Sequence, residues 1–218
     1  MLEALGVEIV LSPGEVGEAI RQTGFGFMFA PAHHSAMKHV MPVRRELAVR
    51  TIFNFLGPLT NPAGATRQLL GVSDRHYQET IAEALAGLGC EHALVVTADD
   101  GLDEISISGR TRVIEVADGG TSEWFVEPGE LGIDAAGIEA IAGGEPADNA
   151  ATARAILAGE AGPTADIAVL NAGAAIYVGG VAADLAAGVA AARAAIDSGA
   201  AADVLRRLVE MRGSGRDG

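Results

Sequence analysis

A chain of 218 residues with 49% apolar and 20% charged residues suits one large soluble domain or two small ones and argues against disorder. Its net charge of −14 argues against non-specific binding to nucleic acid or an anionic membrane, because both need clustered Lys and Arg. One cysteine, Cys90, leaves no intrachain disulfide or thiolate zinc cluster, and neither a secretion signal nor a membrane-length apolar run is present, so a cytoplasmic location is expected.

Met1–Gly6 reads as the last turn of an amphipathic helix, with Gly6 as its C-terminal cap. GVEIVLS, residues 6–12, then reads as a strand. Ser12, Pro13 and Glu15 form a capping-box signal that starts a helix reaching about Gln22, and Gly24–Phe29 reads as a second short strand. Helices are expected over His33–Val40 and Val43–Leu56, broken at Pro42. In the second, Val49, Ile52, Phe53 and Leu56 share one apolar face. Gly57-Pro58 and Asn61-Pro62 end it in a bent loop. Tyr77–Leu88 reads as a helix, and His92–Thr97 as a strand whose LVV centre predicts burial on both faces. Arg112–Val116 and Glu123–Val126 follow as strands, joined as a hairpin through Asp118-Gly119-Gly120. The remainder reads as helical: Ala135–Ile141, Asn149–Leu157 capped by Asp148, then Ala-rich stretches over Asp166–Tyr177, Ala182–Asp197 and Ala201–Met211. Many Gly and Ala residues with few aromatics favour helices packed on a sheet, so an α/β fold is expected. Its Ala-rich helices would cover the sheet or offer a dimer face.

Two constellations could carry chemistry. Between His33 and Pro62, the cations Lys38, Arg44, Arg45 and Arg50 meet only Glu46, making a basic island in an acidic chain. The planar forks of Arg44 and Arg45 suit a carboxylate or phosphate, although a surface helix with Glu46 paired to Arg50 would use the same residues. His33, His34 and His39 are poorly spaced for a shared metal; stacking, hydrogen bonding or capping suits them better. The second constellation is Asp99, Asp100, Asp103 and Glu104, four carboxylates placed just after a buried strand. Ligands in open α/β sheets sit beyond the carboxyl ends of strands, and hard oxygen ligands suit Mg²⁺ on a substrate phosphate. A solvated acidic turn is the alternative. Asn149 and Asn171 could bind ligands, but caps and packing explain them equally. Cys90 lacks a nucleophile–base motif and reads as an inert thiol. No GxSxG, Walker loop or dinucleotide fingerprint occurs.

The run RTIFNFLGPLTNP, with FAPAHHSAMK, PVRREL, LDEIS and NAGAAIYV, resembles anthranilate phosphoribosyltransferase, and the likeness spans nearly the whole chain. The thirteen-residue run is specific; LDEIS alone would not be. The resemblance implies a mostly parallel sheet flanked by helices and transfer of a phosphoribosyl group from phosphoribosyl diphosphate to anthranilate, with Mg²⁺ as cofactor. It matches Arg44 to the arginine that pairs with anthranilate's carboxylate, His34 and Pro58 to residues lining the anthranilate channel, and Asp103 and Glu104 to the acidic pair that holds Mg²⁺. It also implies an incomplete α/β domain over 1–32 and 63–212, helices of a small helical domain and acceptor site over 33–62, and a flexible tail over 213–218. Homodimers are common in the family. Ala48 departs from the usual glycine. The family's leading helical segment and its GTGGD and KHGN motifs have no counterpart in the sequence, so it is expected to represent the C-terminal two-thirds of such an enzyme. That expectation carries three others: two missing strands, exposed sheet edges, and weak or absent activity alone. The alternatives within the fold are a non-catalytic ligand- or nucleic-acid-binding relative and a pyrimidine nucleoside phosphorylase, which RTIFNFLGPLTNP fits less well.

Overall fold

The computed structural model describes residues 1–33 and 59–214, with side chains to Met211. The chain separates into two compact units, Met1–Thr51 with Gly143–Gly159 and Ile196–Gly218, and Ile52–Ala142 with Glu160–Ala195.

In the first unit, α1 (Leu2–Leu5) ends where Gly6 turns left-handed at φ 95°. The Val7 N–H then bonds to the Leu2 carbonyl at 3.0 Å, closing the helix end as the glycine signal predicts. Helix α2 (Pro13–Thr23) has the full capping box: the Ser12 hydroxyl accepts from the Glu15 N–H while the Glu15 carboxylate accepts from the Ser12 N–H. Helix α3 spans Ala30–His33. Neither Val7–Leu11 nor Phe25–Phe29 is a strand, which corrects the reading of GVEIVLS and Gly24–Phe29. A strand exists through its ladder, and neither segment has a paired neighbour among the described residues. Val7 is buried instead in an apolar cluster with Leu5 and Ala150. Helix α5 (Pro146–Leu157) begins three residues before the expected Asn149, with proline at the start of its first turn and Asp148 inside that turn rather than capping it. The last helix of this unit is Ala200–Ser214, numbered α8. Leu205, Leu208 and Val209 pack on the Leu5–Val7–Ala150 cluster.

The second unit holds a mixed sheet in the order β1-β2-β3-β4. Strand β1 (Arg67–Gly71) runs parallel to β2 (His92–Ala98); β3 (Thr111–Ala117) and β4 (Gly120–Val126) add two antiparallel pairings. Asp118 and Gly119 turn the hairpin at φ 51° and 76°, the doubly left-handed turn that Asp-Gly favours. In β2 every residue but His92 is buried. Ala93 and Val95 meet helix α4 (Gln78–Gly87) through Ile81, Ala82 and Leu85. Alternation along the strand turns Leu94 and Val96 to the other face, where helix α6 (Pro163–Val178) packs on β1 and β2. Helix α7 (Leu185–Asp197) meets α6 where Gly173 and Gly188 bring the two backbones together. Buried Gln78 ties β2 to β3, donating to the Val95 and Arg112 carbonyls at 2.9 and 3.0 Å. The α/β class stands. The expected helix over Ala135–Ile141 reduces to a 3₁₀ turn at Ile138–Ile141, because Gly137 is extended (ψ 156°) where a helix would need to begin.

Candidate functional site

Strands β1 and β2 are parallel, so their carboxyl ends, Gly71 and Ala98, share one edge of the sheet. There the chain leaves β2 through the loop Asp99–Arg110, which carries all four clustered carboxylates. The structure divides them by role. Asp99 pairs with Arg75 at 3.0 Å and Arg110 at 3.3 Å. Asp100 accepts from the Leu102 N–H at 3.0 Å, from the Ser106 hydroxyl at 2.5 Å and from the Ser108 hydroxyl. Burial acts to raise the Asp100 carboxyl, but these donors outweigh it and hold the group below its ordinary range. Asp99 and Asp100 are therefore committed to shaping the loop. Asp103 and Glu104 are exposed, and their carboxylates have no partner among the described residues.

The backbone beneath this free pair is fixed. Ile105, Ser106 and Ile107 are fully buried. The side-chain oxygen of Asn171, on α6, accepts the Ile105 N–H at 2.9 Å, while its amide nitrogen donates to the Ile105 and Ile167 carbonyls at 2.8 and 3.0 Å. On the other side, a Cβ built on Gly71 would overlap the Asp103 carbonyl, so only glycine leaves room for the loop at the end of β1. The Thr111 hydroxyl accepts from the Ser106 N–H at 3.0 Å.

Two exposed hard-oxygen ligands beyond the ends of parallel strands can hold a divalent cation only with help. Among the described residues no group of three or more His, Cys, Asp and Glu side chains is arranged to hold a metal. The remaining coordination sites would fall to water and substrate oxygens, which is the usual way Mg²⁺ is bound. The donor set therefore fits Mg²⁺ on a phosphorylated substrate.

Of the residues anticipated from sequence, Asp103 and Glu104 stand together on this loop. His34, Arg44 and Pro58 lie outside the described residues, as do Lys38, His39, Arg45 and Arg50. Asn149 is structural: its side chain closes two bonds with the Gly144 backbone, at 2.8 and 3.0 Å. Cys90 is buried against the Thr66 carbonyl at 3.1 Å, and burial pushes its thiol up, which disfavours the reactive thiolate.

Sequence reasoning overlooked a second polar cluster. Glu115 on β3 accepts three bonds: from the Tyr177 hydroxyl at 2.6 Å, from Trp124 Nε1 at 2.8 Å, and through a 2.7 Å contact with His92 Nε2. Tyr177, Trp124 and Glu115 line an open cavity of about 440 Å³ with Phe125, Glu127 and Asp184. None of its lining residues comes from the Asp99–Arg110 loop, so this cavity is separate from the free carboxylates. The signal was weak, because His92, Glu115, Trp124 and Tyr177 are scattered over four elements that only the folded sheet and α6 assemble.

The sequence matches the glycosyl transferase family, a/b domain, over residues 1–202. It is 50% identical over 214 residues to an anthranilate phosphoribosyltransferase of Thioalkalivibrio sulfidiphilus, covering 98% of this chain and 63% of that protein. A relative of the same name from Rubrobacter xylanophilus is 50% identical over 212 residues, covering 97% of this chain and 62% of its own length. The crystal structure of anthranilate phosphoribosyltransferase from Thermus thermophilus superposes with a TM-score of 0.89 at 48% identity, over 96% of this chain and 62% of that one. The Saccharomyces cerevisiae enzyme in complex with PRPP and Mg gives 0.87 at 26% identity, over 96% of this chain and 60% of that one. The chain thus spans about three-fifths of the length of these relatives. The resemblance drawn from RTIFNFLGPLTNP and its companion motifs agrees with all four.

Proposed function

The chain belongs to the glycosyl transferase family, a/b domain, and on that premise we propose that it serves the transfer of a phosphoribosyl group from phosphoribosyl diphosphate to anthranilate, giving N-phosphoribosylanthranilate and diphosphate. The observation that carries this reading is the sorting of the acidic loop. Two of its four carboxylates are spent on structure, and Asp103 and Glu104, at the carboxyl end of the parallel pair, have no partner among the described residues. The names of the relatives and the PRPP and Mg of the yeast complex support the substrates and the metal.

In this reading Asp103 and Glu104 hold the cation against the diphosphate. Breaking the ribose C1–O bond leaves positive charge on the sugar and negative charge on diphosphate; Mg²⁺, when bound, supplies charge to offset the latter. Arg44 grips the carboxylate of anthranilate with its planar fork, while His34 and Pro58 line the way to it. A weakly basic aromatic amine needs placement more than activation, and a fork on its carboxylate supplies placement. Residues 33–62 then supply the groups that meet the acceptor, and a homodimer through the small helical domain belongs to the same proposal. A cytoplasmic location follows from the same reading. Among the described residues no helix is long and apolar enough to cross a membrane.

Binding of anthranilate, followed by its own fluorescence, tests the acceptor side. The 218-residue chain is expected to bind anthranilate saturably, and R44Q to weaken binding about tenfold or more, as for loss of a charge-assisted hydrogen bond. Absence of saturable binding, or an R44Q variant that binds like the parent, would sink the proposal.

A further inference from the structure

The free carboxylates sit on an exposed stretch, yet the next three residues are fully buried. Something must hold the boundary between them, and two side-chain choices do so. Asn171 lies in the middle of α6, within NAGAA, where alanine would be the better helix former by propensity. Its amide is nearly exhausted. The oxygen takes the Ile105 N–H, one amide hydrogen takes the Ile105 carbonyl, and the other bonds back to the Ile167 carbonyl one turn earlier. The first two bonds pair a side-chain amide to both backbone groups of one residue, much as a neighbouring strand would. The third fixes the rotamer, so the clamp does not swing. Gly71 lets the Asp103 carbonyl, two residues before Ile105, settle where any side chain would block it.

We infer that Asn171 and Gly71 are positioning residues for the Asp103–Glu104 pair: they pin the backbone on either side of Glu104 so that both carboxylates are presented to a divalent cation and its diphosphate in one arrangement. The inference rests on the reading of that pair given under Proposed function. Its physical content is preorganisation. Two exposed carboxylates on a slack loop would have to be ordered whenever the metal–diphosphate complex arrives, whereas a pinned backbone leaves only side-chain torsions to settle. Asn171 is suited to this work and to no direct contact with ligand, since its hydrogens are all committed to the loop and to its own helix. Aspartate at 171 would keep the acceptor for the Ile105 N–H but set a second carboxylate oxygen against the Ile105 and Ile167 carbonyls.

The test uses the full chain with Mn²⁺ and inorganic diphosphate as the probe, with bound Mn²⁺ read by electron paramagnetic resonance and the fold by thermal melting. The variants are N171D, G71A, the pair D103N/E104Q, and I81V, which thins the core under α4 without touching the loop. The expected result is a loss of Mn²⁺–diphosphate affinity of about 10- to 100-fold in N171D and G71A, the range for residues that orient metal ligands. I81V should bind like the parent. Binding within twofold of the parent by N171D and G71A, while D103N/E104Q loses it, overturns the inference and leaves the metal reading standing. Parent-like binding by D103N/E104Q overturns the metal reading and the inference with it. Should the position-171 and position-71 variants not melt cooperatively, hydrogen exchange of the unaltered chain decides. An Ile105 amide that exchanges as slowly as the amides of β2 supports the clamp, and one that exchanges as fast as Asp103 overturns it.

Discussion

Glu115 shows how one carboxylate can organise a neighbourhood without belonging to the site. Burial acts to raise its pKa, but bonds from Tyr177, His92 and Trp124 outweigh that and hold it below the ordinary 4.5. The same bond, with burial, pushes the Tyr177 phenol up to about 12. The linkage follows from these directions. A lowered carboxyl contributes stability that is present above its unfolded value and is lost as pH falls through the lower folded one. E115Q should therefore destabilise the chain by about 2 kcal/mol at neutral pH, since its amide cannot accept all three bonds. The difference from the parent should shrink below about pH 4, and denaturant unfolding at pH 7 and pH 3 would show it. A gap that stays constant between those pH values would contradict the assignment. Composition and periodicity could not disclose this cluster, because each member is unremarkable in its own element. The acidic loop was legible only in outline: DDGLDE announces charge, but nothing in the string tells Asp100, bound by two serines, from Asp103, which has no partner among the described residues. That distinction comes from where Ser106 and Ser108 fall once the loop closes.

At the scale of elements, local signals were legible where the chemistry itself was local. The capping box at Ser12, the glycine end at Gly6 and the Asp-Gly hairpin each depend on residues within a few positions, and each formed as read. The readings of Val7–Leu11 and Phe25–Phe29 failed for the opposite reason. Their apolar runs satisfy strand propensity, but propensity reports fit to a pleated surface and cannot supply the partner. Strand β1 passed unnoticed because RQLLG is short, begins with two polar residues and owes its pairing to β2. Helix boundaries among the Ala-rich segments were blurred too, and here packing reveals what pattern could not. A Cβ on Gly188 would overlap the Gly173 carbonyl, and one on Gly173 would lie 2.6 Å from the Val189 nitrogen. Helices α6 and α7 thus touch backbone to backbone, and the obstruction is not a side chain that can move aside. G188A should cost about 2–3 kcal/mol as the helices are forced apart, against a small gain from helix propensity. Thermal or denaturant melting would check the sign; a G188A variant as stable as the parent would mean that the contact is looser than it stands.

The molecule as a whole joins two opposite electrostatic demands in one sequence. On the proposed reading, a carboxylate-bearing acceptor calls for cations, which the sequence gathers between Lys38 and Arg50, and a metal-bound diphosphate calls for acidic oxygens, which Asp103 and Glu104 would supply. The surrounding charge of −14 restricts what else can bind. A nucleic acid would have to engage the basic segment while the rest of the chain repels its phosphates, and four cations in one short stretch give little counterion release to offset that. A small anion such as anthranilate escapes the penalty because it can be held by one fork within a few ångströms, inside the screening length of about 8–10 Å. The chain is therefore expected to retain no duplex DNA on a filter at about 50 mM salt, where a phosphate-contacting protein would bind far more tightly than at 200 mM. Tight retention that collapses as salt is raised would identify the basic segment as a nucleic-acid surface. It would also favour a nucleic-acid-binding reading of this chain over the proposed transfer, whatever Asp103 and Glu104 hold.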